Sequence, residues 1–547
     1  MQNEQSGGQV LIKALESLGA KRVFCVPGES YLPALQALSD STIETIVCRQ
    51  EGGAAMMAEA TGKLSGAPGI AFVTRGPGAT NALSGIHVAQ QDSTPVLLFI
   101  GQIATEWKYR DAFQEVDYQQ LLGGMCKWVT EIDHVSRIEE LVSRAWHTAC
   151  AGRPGPVAVV LPENTLYGTT DQIPLPLAYC KPEAYPHPVH IEKVKQLLST
   201  AARPLAILGG SGWTESAVLQ FQEFALNLSL PVATSFRRQT LIDNTHPCYV
   251  GDVGLGLNPA LKQRILEADV LLLLGGRFSE VPSQDYALLD IPLPKQKLIH
   301  VHPGAEELGK VNLPMLAINC SPESFCASIV PETPQFNKCD PELVESGHRV
   351  YLEWSSLEHT VDEADLMKQI VEYLQSMLDI PNTIVTTGAG NYSMWIQRFW
   401  KFQKFNTQVA PTSGSMGYGF PAAVATKLQH PEKTVIALAG DGCFQMTHQE
   451  FATAAQLGLA FTTLIIDNGM YGTIKMHQVQ QYPDSNCGTE LKNPDFALWA
   501  QSYDAFGARV ESFDDFKIAF SEAQNYNGPS ILHIIVNPNA ITPVKAI

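Results

Sequence analysis

The chain has 547 residues, of which 45% are hydrophobic and 17% charged, with a formal charge of −18. Such material suits several packed domains of ordinary size. A surplus of that many acids excludes nucleic acid as the main partner, because phosphate contacts need clustered Lys and Arg, and disfavours an anionic membrane surface. No apolar run reaches the ~18 residues of a membrane span, and the N-terminus MQNEQSGGQV lacks the basic-then-apolar pattern of a leader. Eleven cysteines without a C-x-x-C pair read as reduced thiols of a cytoplasmic protein.

In chain order, the helix QVLIKALESLGA leads to the strand RVFCV and then Pro27-Gly28. TIETIVC leads to Arg49-Gln50-Glu51 and the helix GGAAMMAEATGKLSG. GIAFVT, the glycine-rich RGPGATNALSG and PVLLFIG follow. Strand–turn–helix repetition predicts a parallel sheet covered by helices, with functional groups where the strands end. A proline-rich stretch over 174–190 reads as a linker. A second unit carries the strands PLAILGG, PVATS, ADVLLLLGG and KLIHVHPG, and PETPQFNKCDPE reads as another linker. A third unit carries TIVTTGAG, TVIALAGDG, FTTLIIDN and SILHIIV. The expectation is an α/β protein of three doubly wound parallel-sheet domains, over 1–173, 190–335 and 360–547, with the first and third units candidates for a shared fold.

The densest chemistry lies in AGDGCFQMTHQEFATAAQLGLAFTTLIIDNGMYG. Asp441 and Asn468 each follow a buried strand and stand 27 residues apart (441 to 468), the length of one βαβ unit. A carboxylate and an amide carbonyl are hard oxygen ligands suited to Mg²⁺, which completes its shell with phosphate oxygens. Gly440 and Gly442 allow close backbone approach. Alone, GDG is a common turn; with Asn468 at this distance it is specific.

That pattern resembles the thiamine-diphosphate enzymes, whose signature is GDG and then Asn after about two dozen residues. VFCVPGESYLPAL, CRQEGGAAMMAEATGKLSG and RGPGATNALSGIHVAQQDSTPVLLFIGQ look like the pyrimidine-binding domain of the acetolactate synthase group. The resemblance implies roles. Asp441, Asn468 and the Met470 carbonyl would hold Mg²⁺, with Asp467 in place of the usual Asn. Glu51 would bond to N1′ of the aminopyrimidine and so favour removal of the C2 proton. Met416 would wedge between the cofactor rings, and Gly414 would accept the 4′-amino group. Gly28, Pro77, Asn81, Gly440, Gly442, Tyr471 and Gly472 would complete the cofactor site. Phe113, Gln114 and Lys127 would line the substrate side, with His477 where the group carries a Trp.

The implied activity is that of a lyase or carboligase on pyruvate-like 2-keto acids, working as at least a homodimer, with a homotetramer common in the group. The central unit departs from the pattern. Asp252 and Val253 replace Met-His, and Val281 replaces the Arg that recognises the acceptor acid, which no apolar side chain can do. Gly209, Gly210 and Arg277 are compatible with FAD. Cleavage of a diketone or an acyl-CoA, flavin-linked oxidation, and a non-catalytic cofactor-binding regulator remain alternatives.

Overall fold

The computed structural model describes residues 4–171, 175–329, 339–484 and 487–546. The sequence-based boundaries at 173 and 335 lie outside them. Three six-stranded sheets, parallel throughout, organise the chain. The first runs, in spatial order, Glu44–Val47, Arg22–Cys25, Gly69–Val73, Val96–Gln102, Pro156–Pro162, Trp128–Glu131. The third runs Gln408–Val409, Thr383–Thr387, Thr434–Gly440, Thr462–Asp467, Ser530–Ile535, Phe506–Val510. Numbered within each unit, both orders are 2-1-3-4-6-5, so these two units share a topology. The central sheet runs Tyr249–Val253, Val232–Ser235, Pro204–Leu208, Val270–Leu274, Lys297–His302, Leu316–Asn319, an order of 3-2-1-4-5-6.

Central strands such as Val96–Gln102 and Val270–Leu274 are buried at every residue. Helices cover both faces, which is why these strands read as continuous apolar runs rather than alternating ones. Residues 175–187 form neither helix nor strand. Helix Pro341–Trp354, between the second and third sequence-based units, puts Val344 and Tyr351 into the central core.

The first and third units of one chain are joined through helix Glu51–Ser65. Its Ala- and Met-rich body packs beside helix Gly419–Gln429, and both contribute to one core. Gln50 caps its start by accepting from Gly53 N, and Gly66, at φ +73°, ends it in the left-handed conformation glycine tolerates. Fully buried Glu450 of the third unit also caps it, accepting from Arg49 N at 3.0 Å and Gln50 N at 2.9 Å. A Cβ on Gly53 would lie 2.7 Å from Glu450 Cγ, so this first turn needs glycine.

Further along the helix, Lys63 Nζ donates to Asp92 Oδ2 at 2.5 Å and to the Ala410 carbonyl at 3.0 Å, and lies 3.2 Å from Glu59. Asp92 accepts from Thr412 N and Oγ1 and from Ser413 N. Arg237 Nη1 donates to the Pro411 carbonyl at 2.6 Å. This buried ionic network anchors the loop that leads to Gly414 and Met416. Lys63 and its hydrogen bonds hold Asp92 below the usual carboxylate range, whereas burial pushes Glu59 up.

Candidate active site

The pairing of strands Thr434–Gly440 and Thr462–Asp467 sets Gly440 beside Ile466. Asp441 therefore emerges opposite Asp467, with Asn468 one residue beyond. Asn493 Nδ2 bridges the two carboxylates, donating to Asp441 Oδ2 at 2.7 Å and Asp467 Oδ1 at 2.8 Å. Asp467 is fixed further by Gly469 N at 2.8 Å and by His533 Nε2 at 2.8 Å. His533 Nδ1 accepts from Phe496 N, so Nε2 carries the proton given to Asp467. Burial, with Asp467 as a second cause, raises the Asp441 carboxyl to about 6.

Two buried carboxylates separated by one neutral amide form a site that lacks positive charge, which a divalent cation would supply. Among the described residues no group of three or more His, Cys, Asp or Glu could hold a metal. Asp441, the Asn468 carbonyl and the Met470 carbonyl would be too few ligands for an octahedron, a set that suits Mg²⁺ sharing its shell with a diphosphate.

These residues line a cavity of about 240 Å³, together with Met416, Gly440, Gly442, Tyr471 and Gly472. A Cβ on Gly440 would meet the Tyr392 ring at 2.8 Å, and one on Gly442 the Tyr471 ring at 2.6 Å. In this chain the two glycines thus also make room for tyrosines. Gly414, at φ +69°, turns the loop before Met416. Past Met416 the loop is tied down by Gly417 N on Cys443 Sγ at 3.1 Å and Thr447 Oγ1 on the Gly417 carbonyl at 2.6 Å.

Glu51, 8% exposed, sits at the carboxyl edge of the first sheet. Asn81, ending the short helix Pro77–Asn81, donates to Glu51 Oε2 at 2.9 Å. A Cβ on Gly78 would come within 3.2 Å of Glu51 Oε1, and one on Gly28 within 2.5 Å of Thr74 Cβ. Gln114 packs on Gly76 and Phe113 is exposed, so Gly28, Glu51, Pro77, Asn81, Phe113 and Gln114 share this edge. Among the described residues none of the first unit lines the cavity at Asp441, whose walls come from 363–543.

Lys127 does not join them. Its N donates to the Pro156 carbonyl at 2.8 Å, at the amino end of strand Pro156–Pro162, and Nζ donates to the Ala151 carbonyl at 2.5 Å. Glu163, just past the carboxyl end, is seven residues on, roughly 20 Å along the strand. Lys127 therefore belongs to the opposite edge of the sheet from Glu51. Burial lowers it to about 8. His477 is exposed on helix Gly472–Gln481.

In the central unit, Gly210 and Arg277 line a second cavity of about 530 Å³, shared with His87, Asp92, His302 and Ser413 of all three units. It lies at the carboxyl ends of Pro204–Leu208 and Val270–Leu274, where the strand order reverses and where such sheets bind dinucleotides. Arg277 Nη2 is engaged by the Gln91 carbonyl at 2.6 Å.

Asp252, at the end of the edge strand, is raised to about 7 by burial and is held by Gln397 Nε2 at 3.1 Å. A carboxyl whose folded value lies above its unfolded one stabilises the fold while protonated. That contribution is lost as pH rises from about 4 through about 7. Asp252→Asn should therefore raise Tm at pH 8 and change it little at pH 4, as measured by scanning calorimetry.

Residues 5–121, 191–329 and 388–534 match the N-terminal TPP binding, central and C-terminal TPP binding domains of the thiamine pyrophosphate enzymes. The chain is 32% identical to a probable acetolactate synthase large subunit of Methanocaldococcus jannaschii, over 98% of this chain and 93% of that protein. It is 28% identical to the acetolactate synthase isozyme 2 large subunit of Escherichia coli, over 97% and 96% respectively. The acetolactate synthase large subunit of Lactococcus lactis shares 29% over 98% and 93%. Matched over nearly its whole length, and carrying Glu51 at the edge of its first sheet and Asp441 at the edge of its third, the chain belongs to the thiamine pyrophosphate enzymes of the acetolactate synthase-like group.

Proposed function

We propose that this protein is a thiamine-diphosphate- and Mg²⁺-dependent lyase or carboligase acting on 2-keto acids of the pyruvate kind. The observation that carries this reading is the cavity that gathers Asp441, Asn468 and Met470 around Met416. The relatives named acetolactate synthase support it. Asp441, Asn468 and the Met470 carbonyl would hold the metal, with Asn493 fixing the Asp441 carboxylate. Thiamine diphosphate supplies a nucleophilic carbon and an electron sink for decarboxylation and acyl transfer. Met416 would brace the cofactor rings from a loop tied down on both sides. Glu51, its carboxylate oriented by Asn81, would share a proton with the pyrimidine. Gly28, Pro77, Gly414, Tyr471 and Gly472 shape the remainder.

Because the cavity draws on no described residue of the first unit, we assign Glu51 to the site of a second subunit. The working unit is then a homodimer at least, and a homotetramer extends it. The domains divide near 173–190 and 335–360. Val281 stands where the group carries the Arg that recognises the acceptor acid, which favours an uncharged carbonyl acceptor. No step uses a flavin.

The test is cofactor-stripped protein given thiamine diphosphate, Mg²⁺ and pyruvate, with CO₂ release followed and products identified by mass spectrometry. CO₂ with a hydroxyketone is the expected result. Acetaldehyde alone would reduce the activity to decarboxylation. Tight cofactor binding without consumption of any 2-keto acid would contradict the reading.

A further inference from the structure

With Lys127 on the wrong edge, the first sheet needs another cation to meet a substrate carboxylate near Glu51, and Arg75 is placed to be it. Arg75 follows strand Gly69–Val73 and directly precedes the Gly76–Asn81 turn that orients Glu51. Its side chain is 12% exposed. Nη1 is paired with Glu163, the first residue past strand Pro156–Pro162. Nε is buried with no hydrogen-bond partner. A buried donor is costly to leave unpaired, and an acceptor on a ligand is one way to complete its bonding.

The residue after Arg75 is tied in place. Gly76 N donates to Tyr118 Oη at 2.9 Å, and Gln114 packs on Gly76. Glu163 occupies one end of the guanidinium and leaves the Nε edge of the fork. That edge offers two parallel N–H groups, the geometry that matches a carboxylate.

We infer that Arg75 binds the carboxylate of the 2-keto acid through its Nε edge, and that Glu163 holds the guanidinium in position. This inference rests on the 2-keto acid reading above and names its specificity residue. A carboxylate on Arg75 lies on the same sheet edge as Glu51 and Gln114, so recognition and proton handling share one face. Glu163 also sets the charge balance. It neutralises Arg75 when the site is empty, so the incoming acid meets a guanidinium that is anchored but not fully satisfied.

The experiment compares holoenzyme with its Arg75→Gln, Arg75→Lys and Glu163→Gln variants. Pyruvate KM and kcat are measured, and binding of oxamate, an unreactive carboxylate of similar shape, is set against uncharged oxamide by ligand-observed NMR. Arg75→Gln should raise KM roughly ten- to hundredfold, as expected for losing charged hydrogen bonds. It should also abolish the preference for oxamate, with thiamine diphosphate affinity kept. Arg75→Lys should recover part of the affinity, since it restores the charge but not the fork. Glu163→Gln, which leaves the guanidinium uncompensated, should tighten oxamate and remains informative if the Arg75 variants do not fold. An unchanged KM and a preserved oxamate preference in Arg75→Gln would overturn the assignment, as would unchanged or weakened oxamate binding in Glu163→Gln. Wild-type protein that consumes no 2-keto acid would remove the parent reading, and this inference with it.

Discussion

Glu51→Gln should lower kcat by roughly 10²–10⁴, the usual worth of a positioned acid–base group, while the protein still binds thiamine diphosphate and Mg²⁺. The substitution is nearly isosteric, and the Gln oxygen can still accept from Asn81. The helix that carries position 51 is capped by Gln50 and Glu450 and packed against Gly419–Gln429, none of which depends on the carboxylate. What is lost is the group able to exchange a proton with the pyrimidine. Steady-state kinetics beside cofactor titration by fluorescence separate the two effects. A parallel loss of cofactor affinity would mean that Glu51 serves binding rather than proton handling.

Asp441→Ala should act through the other half of the site. It removes one proposed metal ligand and leaves the Asn493 Nδ2 group donating to Asp467 alone, with Oδ1 still accepting from Gln445. Partners that merely orient a ligand typically cost 10–100-fold in metal affinity or activity, so loss of a ligand should cost at least about that much. Cofactor affinity should fall with metal affinity, because the diphosphate is held through the metal. The variant should nevertheless fold, since removing Asp441 relieves the burial of a carboxyl, and its repulsion with Asp467, that together raise it to about 6. Calorimetric titration of Mg²⁺ with thiamine diphosphate present, alongside thermal unfolding, checks both statements. Chelation of wild-type protein should reproduce the affinity loss, and excess Mg²⁺ should reverse it.

Much of this was legible before any coordinates, for a physical reason. The central strands are buried on both faces, so GIAFV, VLLLL, TVIALAG and TTLIID appear as apolar runs, and glycine-rich turns mark their carboxyl ends. Asp441, Asn468 and Glu51 could be placed from those ends alone. Less visible strands were edges: Trp128–Glu131, Leu316–Asn319 and Phe506–Val510 are half-exposed, and Gln408–Val409 has two residues. Pro156–Pro162 is central, but prolines at both ends give it the look of a loop.

Those omissions explain the misplaced lysine. Lys127 follows Phe113-Gln114 closely in sequence, and without the strand at Trp128 nothing says which sheet edge it occupies. The long-range partners were beyond reach for another reason. Asn493, His533 and Glu450 act through side-chain hydrogen bonds to residues 26 to 401 positions away, and no local pattern encodes such pairings. Arg75 stood in plain view within RGPGATN, but its unpaired Nε and its bond to Glu163 exist only in three dimensions.

The central claim is that each catalytic centre joins Glu51 of one chain to the Asp441 cavity of another. The direct measurement is complementation: Glu51→Gln and Asp441→Ala chains, each inactive alone, are co-expressed with different tags and purified through both. The mixed dimer contains one site with an intact Glu51 and an intact Asp441, so it should consume pyruvate and release CO₂. If the mixed dimer is as inactive as its parents while wild-type protein purified through the same two tags is active, Glu51 and Asp441 serve within one chain, and the account of the site is contradicted.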